Sequence, residues 1–222
     1  MNITNILKKE WPVILLLLAP FAVSLLLSDQ VPDTVPTHFN LQGEADDYGP
    51  KWVILYMLPA IGILLYAALL LLPRIDPKKR IEEAQKPIAA IRLITSLFMV
   101  GLYAMMILVV TGSDVSINSY VFIAVGLFFV GLGNYMNTVK PNYFIGIRTP
   151  WTLENPTVWK KTHRLGSKIW MVGGVLIIIS DLIFSESLNA VVFGVTVGFM
   201  VIVPLLYSYF EFKKIESTGE NA

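Results

Sequence analysis

Six apolar runs, at 11–28, 52–72, 88–110, 117–135, 169–184 and 188–210, restrict this chain to few architectures. Each approaches the roughly 20 residues that carry a helix across a bilayer core of about 30 Å. The fifth run is shorter and reaches that length if its helix starts upstream, in a Lys-rich segment. Hydrocarbon offers the backbone no hydrogen-bond partner, so a chain of such segments must cross as α-helices. The expected fold is therefore all-α: a polytopic membrane protein with six transmembrane helices. With 15% of its residues charged, against about a quarter in a soluble domain, the chain has the composition this fold requires. The run 11–28 follows Lys8 and Lys9 as a signal peptide's apolar core would. It is nevertheless long enough to span and no small-x-small cleavage site follows it, so it reads as the first span. The chain has no cysteine, which removes disulfides, thiolate metal sites and thiol nucleophiles together.

Basic residues alternate with the connections. With the N-terminus inside, the inner segments hold Lys8, Lys9, Arg74, Lys78, Lys79, Arg80, Lys86, Lys140, Arg148, Lys160, Lys161, Arg164, Lys168, Lys213 and Lys214, fifteen in all, and the outer segments hold only Lys51. Positive charge is retained on the cytoplasmic side, so both termini are expected in the cytoplasm. Arg92, just inside the third run, reads as a side chain whose long stem reaches the headgroups. Asn134 and Asn137 read either as interhelical hydrogen-bonding groups or as the lining of a polar cavity. Gly126, Gly131, Gly133, Gly173, Gly174 and the Gly194–Gly198 pair read as points of close helix packing.

Two polar segments can carry chemistry. In the outer loop, 29–51, Pro32 and Pro36 force an extended start and Gly43, Gly49 and Pro50 mark turns, so the loop is expected to be compact and folded. His38, Glu44, Asp46 and Asp47 match no metal-ligand spacing, and no metal or cofactor is expected. In the inner segment, 140–170, Asn155 and Pro156 form a helix start, an Asn cap with proline at the first helical position. Val158, Thr162, Leu165 and Ile169 then recur on one face while Lys160, Lys161, Arg164 and Lys168 fall on the other. This predicts a short basic amphipathic interfacial helix before the fifth span, with Trp159 and Trp170 anchored at headgroup level. Upstream, Arg148 sits between Gly146 and Pro150 in a tight non-helical loop, where its planar fork can meet a lipid phosphate or a protein partner.

The run from Asn142 to Arg164, NYFIGIRTPWTLENPTVWKKTHR, resembles the signature of the SdpI-type immunity protein family of Gram-positive bacteria. The outer PTHFN-x-x-G, from Pro36 to Gly43, continuing through Asp47 to Lys51, resembles a small N-terminal module that accompanies it. The resemblance divides the chain into an N-terminal two-span module with an acidic outer loop, 1–72, and a four-span SdpI-like module, 73–222, with a basic inner loop at 136–168. It implies a protein that protects its producer from a secreted, membrane-active peptide toxin and that holds a cytoplasmic DNA-binding autorepressor at the membrane. Carried onto this sequence, the partner-binding candidates are Asn142, Gly146, Arg148, Thr149, Pro150, Trp151, Trp159, His163 and Arg164. The outer-loop ligand-binding candidates are Pro36, His38, Asn40, Gly43, Asp47 and Lys51.

The expected partners are the lipid bilayer, a peptide toxin and a cytoplasmic repressor, with no direct contact to nucleic acid. A small-solute transporter or channel is the alternative, disfavoured because no internal repeat and no acidic residue deep in a span is present. An enzyme is not expected. His38 and His163 fall on opposite faces of the bilayer, and neither HExxH nor GxSxG occurs.

Overall fold

In the computed structural model, which describes residues 3–40, 43–75, 85–113 and 117–218, the apolar runs are helices. A short α1 (Ile3–Lys9) leads into α2 (Trp11–Leu27). A two-stranded sheet follows, β1 (Thr34–Phe39) and β2 (Ala45–Pro50), then a π-helical turn (Val53–Met57) that opens α3 (Leu58–Ile75). The remaining helices are α4 (Gln85–Val110), α5 (Ile117–Met136), a single-turn α6 (Pro150–Glu154), α7 (Pro156–Ile183) and α8 (Glu186–Thr218). Among the described residues, five helices are long and apolar enough to cross a membrane, and α2, of 17 residues, is a shorter sixth. Lys78, Lys79 and Arg80, which bear on the charge pattern above, lie outside the described residues.

Glycines and proline-freed carbonyls govern how the helices meet. Between apolar helices in lipid there is little hydrophobic drive, so close contact and hydrogen bonds hold them. Helices α5 and α7 pack most intimately. A Cβ at Gly126 would lie 2.7 Å from the Gly174 carbonyl oxygen, and one at Gly174 would lie 2.5 Å from that of Gly126. Further along the seam Ser167 donates to the Gly133 carbonyl at 2.7 Å. Gly194 and Gly198 differ from this group, because no described atom lies within 4 Å of where their Cβ atoms would be. Among the described residues that pair meets no neighbouring helix.

Two prolines create a need that neighbouring helices meet. In a regular helix the Leu55 carbonyl would accept from residue 59, but Pro59 has no N–H. The backbone widens there into the π-turn, and Ser24 of α2 donates to Leu55 O at 2.6 Å. Tyr103 of α4 joins this junction, its hydroxyl 2.8 Å from Ser24 Oγ and 2.9 Å from the Pro20 carbonyl. Likewise Pro204 leaves the Met200 carbonyl without its helical donor, and Trp170 Nε1 of α7 supplies one at 3.2 Å. Each bond ties a proline-bearing helix to its neighbour at a fixed depth.

Arg92 does not reach out to headgroups. Its side chain is buried, and its guanidinium is forked onto the Glu10 carboxylate, with Nε–H donating at 3.0 Å and Nη2 pairing with the other oxygen. Tyr66 also donates to Glu10, at 2.9 Å. A long stem near a helix end suggests snorkelling, but Glu10, at the break between α1 and α2, lies within direct reach and desolvates with it. Asn134 and Asn137 are exposed.

Candidate functional site

The inner segment folds as a tight loop clamped onto the first turns of α7. Asn142 organises its start: Nδ2 donates to the carbonyls of Lys140 (2.8 Å) and Ile145 (3.0 Å), while Oδ1 accepts from the amides of Phe144 (2.8 Å) and Ile145 (2.7 Å). One buried amide thereby satisfies four backbone groups that no helix or sheet serves. Phe144 and Ile145 then pack on Ile88 of α4, and Val139 and Trp159 on Ile91.

Gly146 and His163 form the clamp. Gly146 has φ of 115°, and a Cβ there would lie 2.3 Å from His163 Nε2. That nitrogen accepts the Ile147 amide at 3.0 Å, so it carries no proton. Nδ1 therefore holds the proton and donates to the Trp159 carbonyl at 2.9 Å. His163 is neutral, with both ring nitrogens used. Its ring stacks on Trp159, centroids 4.0 Å apart, and Trp159 Nε1 donates to the Val139 carbonyl at 2.9 Å.

Thr149 closes the other side. It caps α6 in a reciprocal box with Thr152: Thr149 Oγ1 accepts the Thr152 amide at 3.2 Å and Thr152 Oγ1 accepts the Thr149 amide at 2.9 Å. Thr149 Oγ1 also lies 3.0 Å from Ser208 Oγ on α8, and Trp151 meets Tyr209 edge-on with centroids 5.1 Å apart. Pro150 begins α6. The loop is thus pinned to α4, α7 and α8 together.

Of the nine inner candidates, Asn142, Thr149, Trp159 and His163 are buried and shape the loop, and Gly146 supplies the backbone approach to His163. Trp159 is 2% exposed, which corrects its reading as a headgroup anchor. Arg148 and Arg164 are exposed, Arg148 donating to the Tyr143 carbonyl at 2.5 Å. The helix start is as expected, with Asn155 Oδ1 accepting from Thr157 N (2.8 Å) and Val158 N (3.2 Å). The basic amphipathic segment is continuous with the fifth span in α7. Val158 and Thr162 are buried, and Lys160, Lys161, Arg164 and Lys168 are exposed on the opposite side.

At the other end of the helices the outer loop is a β-hairpin. Thr34 pairs with Pro50 and Phe39 with Ala45, with irregularities around His38. Asn40 closes the turn: Oδ1 accepts the Glu44 amide at 3.0 Å and its own amide donates to Glu44 O at 2.9 Å, across Gly43 at φ 76°. Lys51 ties the base, its Nζ 2.9 Å from Asp33 and 3.3 Å from the Ser28 carbonyl. His38 Nδ1 lies 2.5 Å from Asp46, while Asp47 accepts its neighbour's amide, Tyr48 N, at 2.9 Å. Pro36 is half-buried. Beneath the hairpin lies an apolar pocket of about 280 Å³, where Pro36 and Phe39 face Met57 of the π-turn and Leu102, Met105 and Met106 of α4. Among the described residues no cluster of three or more His, Asp or Glu side chains is placed to hold a metal.

An all-helical membrane core capped by a hairpin at one end and by a clamped basic loop at the other defines a multi-pass membrane protein with polar structure on both faces. The model of the SdpI/YfhL protein family matches residues 138–208, the loop, α6, α7 and most of α8. A domain of unknown function (DUF1648) matches residues 15–63, from α2 through the hairpin into α3. "Immunity protein SdpI" of Bacillus subtilis (strain 168) is 26% identical over 215 residues, 96% of this chain and 100% of that protein. The chain is thus similar to the SdpI-type family, locally through residues 138–208 and along nearly its whole length through the Bacillus subtilis protein. No solved structure matches it.

Proposed function

We propose that this chain is an integral membrane immunity protein that protects its cell from a secreted, membrane-active peptide toxin. The observation that carries the proposal is the extent of the similarity: it covers all of the immunity protein and nearly all of this chain. The charge pattern supports an orientation with the loop end and both termini in the cytoplasm and the hairpin outside. In that orientation the toxin meets the hairpin end, where a methionine-lined pocket can adapt to an apolar side chain. The exposed Arg148 on the clamped loop end marks the surface for a cytoplasmic partner, a repressor held at the membrane. A binding role also accords with His163, whose two nitrogens are both taken up within the fold and leave none for proton transfer.

The test is challenge of a toxin-sensitive Gram-positive strain expressing the chain, with the toxin against which SdpI protects. Intact protein is expected to confer survival. Arg148→Ala is expected to keep survival and to lose induction of a repressor-controlled reporter. Loss of toxin binding in that variant, correctly inserted and folded, would overturn the division between the two ends. Solute flux above background in proteoliposomes, without protection, would favour the transporter alternative.

A further inference from the structure

Helices α7 and α8 enclose a groove that changes character along its length. Toward the loop end a hollow of about 280 Å³ is lined by Lys161, Arg164, Leu165, Lys168 and Tyr207. Next to it, and sharing Lys168, a second hollow of about 350 Å³ is lined by Ile169, Val172, Leu176, Val195 and Phe199. The α7 residues recur at intervals of three, four and one, so both hollows lie along a single helix face. The border falls between Lys168 and Ile169, where the fifth apolar run begins. Bilayers make the same change, from headgroup to hydrocarbon, at that depth.

Charge in the polar hollow is unbalanced. Lys161 is paired with the buried carboxylate of Glu211. Arg164 and Lys168 have no ion-pair or hydrogen-bond partner among the described residues, so two cations remain uncompensated beside an apolar channel. A soluble anion would use the cations and leave the channel idle. A neutral lipid would do the reverse.

We infer that this groove is a binding site for an anionic phospholipid, its phosphate held by Arg164 and Lys168 and one acyl chain lying along the α7–α8 channel. The guanidinium provides a planar fork for two phosphate oxygens, and Lys168 at the border contacts the headgroup from the membrane side. The sizes of the two hollows are in or near the range of small-molecule pockets, roughly 300–1,000 Å³. This site is separate from the hairpin end and does not depend on the immunity reading.

Full-length protein in a neutral detergent, offered phosphatidylglycerol or phosphatidylcholine at equal concentration and read by native mass spectrometry, tests the inference. Phosphatidylglycerol is expected to be retained at least tenfold more strongly. Arg164→Gln with Lys168→Gln removes two cations from the site, and the expected loss is roughly thirtyfold. Val195→Phe, which fills the apolar channel without altering charge, is expected to weaken retention at least fivefold. Lys213→Gln with Lys214→Gln removes the same charge elsewhere on α8 and is expected to leave retention unchanged.

Equal retention of both lipids overturns the inference, as does an equal loss in the Lys213/Lys214 variant, which would mean diffuse attraction. Full competition by millimolar inorganic phosphate, with Val195→Phe silent, would mean an anion site without a lipid chain and also overturns it. Far-ultraviolet circular dichroism of every variant establishes that its helices are intact.

Discussion

Gly146→Ala reports directly on the clamp that holds the inner loop. The new methyl would sit 2.3 Å from His163 Nε2, less than any real contact allows, on a residue whose φ is 115°. Backbone strain at such a φ for alanine is about 1–3 kcal/mol. The imidazole cannot retreat freely, because Trp159 stacks on it and its Nδ1–H is held by the Trp159 carbonyl. Displacing it removes the acceptor for the Ile147 amide, worth a further 1–3 kcal/mol or so for a desolvated donor. The sum is about 2–6 kcal/mol, enough to open the loop locally while the spans persist. Limited proteolysis of 140–155 in detergent is expected to speed up at least tenfold. His163→Ala removes the clash partner, and in that background Gly146→Ala is expected to show only the strain component. A coupling of at least about 1 kcal/mol should therefore appear in the double-mutant cycle. Strict additivity, or an unchanged cleavage rate in Gly146→Ala, would refute the clamp.

Breaking the buried pair by Glu10→Gln or Arg92→Met is expected to destabilise by about 3–5 kcal/mol in thermal or denaturant unfolding, whereas combining Glu10→Leu with Arg92→Met should recover most of it. Trp170→Phe leaves the Met200 carbonyl without a donor and is expected to lose about 1–3 kcal/mol; Pro204→Ala, which restores an N–H at that position, should compensate in part. Gly126→Ala forces a methyl against the Gly174 carbonyl and is expected to separate α5 from α7, with a lowered unfolding temperature, while Gly194→Ala, with open space at its Cβ, should be neutral or stabilising.

Much of the fold was legible because lipid leaves so few options: run length and apolarity announce helices, and Asn155–Pro156 marks the start of α7. The turn between Ile183 and Glu186 falls at the gap between the apolar runs 169–184 and 188–210. The hairpin was harder to read. Pro36 and Pro50 argue against strands in general, but both strands are edges, where a missing donor is tolerated. The partner of Arg92 lay 82 residues away, so only its equal depth with Glu10 from the same membrane face carried a signal. Pro59 and Pro204 announce that the carbonyls of Leu55 and Met200 lack their helical donors, but not that Ser24 and Trp170 would provide them. Trp159 shows the limit of residue-type reasoning. Tryptophan beside lysines reads as an interfacial anchor, and only the fold reveals that Val139 and His163 enclose it.

For the inner signature the consequence is a change of meaning. The residues that make it recognisable, Asn142, Gly146, Thr149, Trp159 and His163, are those whose geometry permits least variation. The accessible chemistry is left to Arg148, Arg164 and the lysines of α7 around them.

The most direct measurement is survival of a sensitive Gram-positive strain, expressing the intact chain or an inserted but inactive control, across a dilution series of the toxin against which SdpI protects. The immunity reading predicts that the intact chain raises the lethal toxin concentration at least tenfold. Equal killing of both strains, with the protein verified in the membrane at matched levels, would contradict immunity to that toxin.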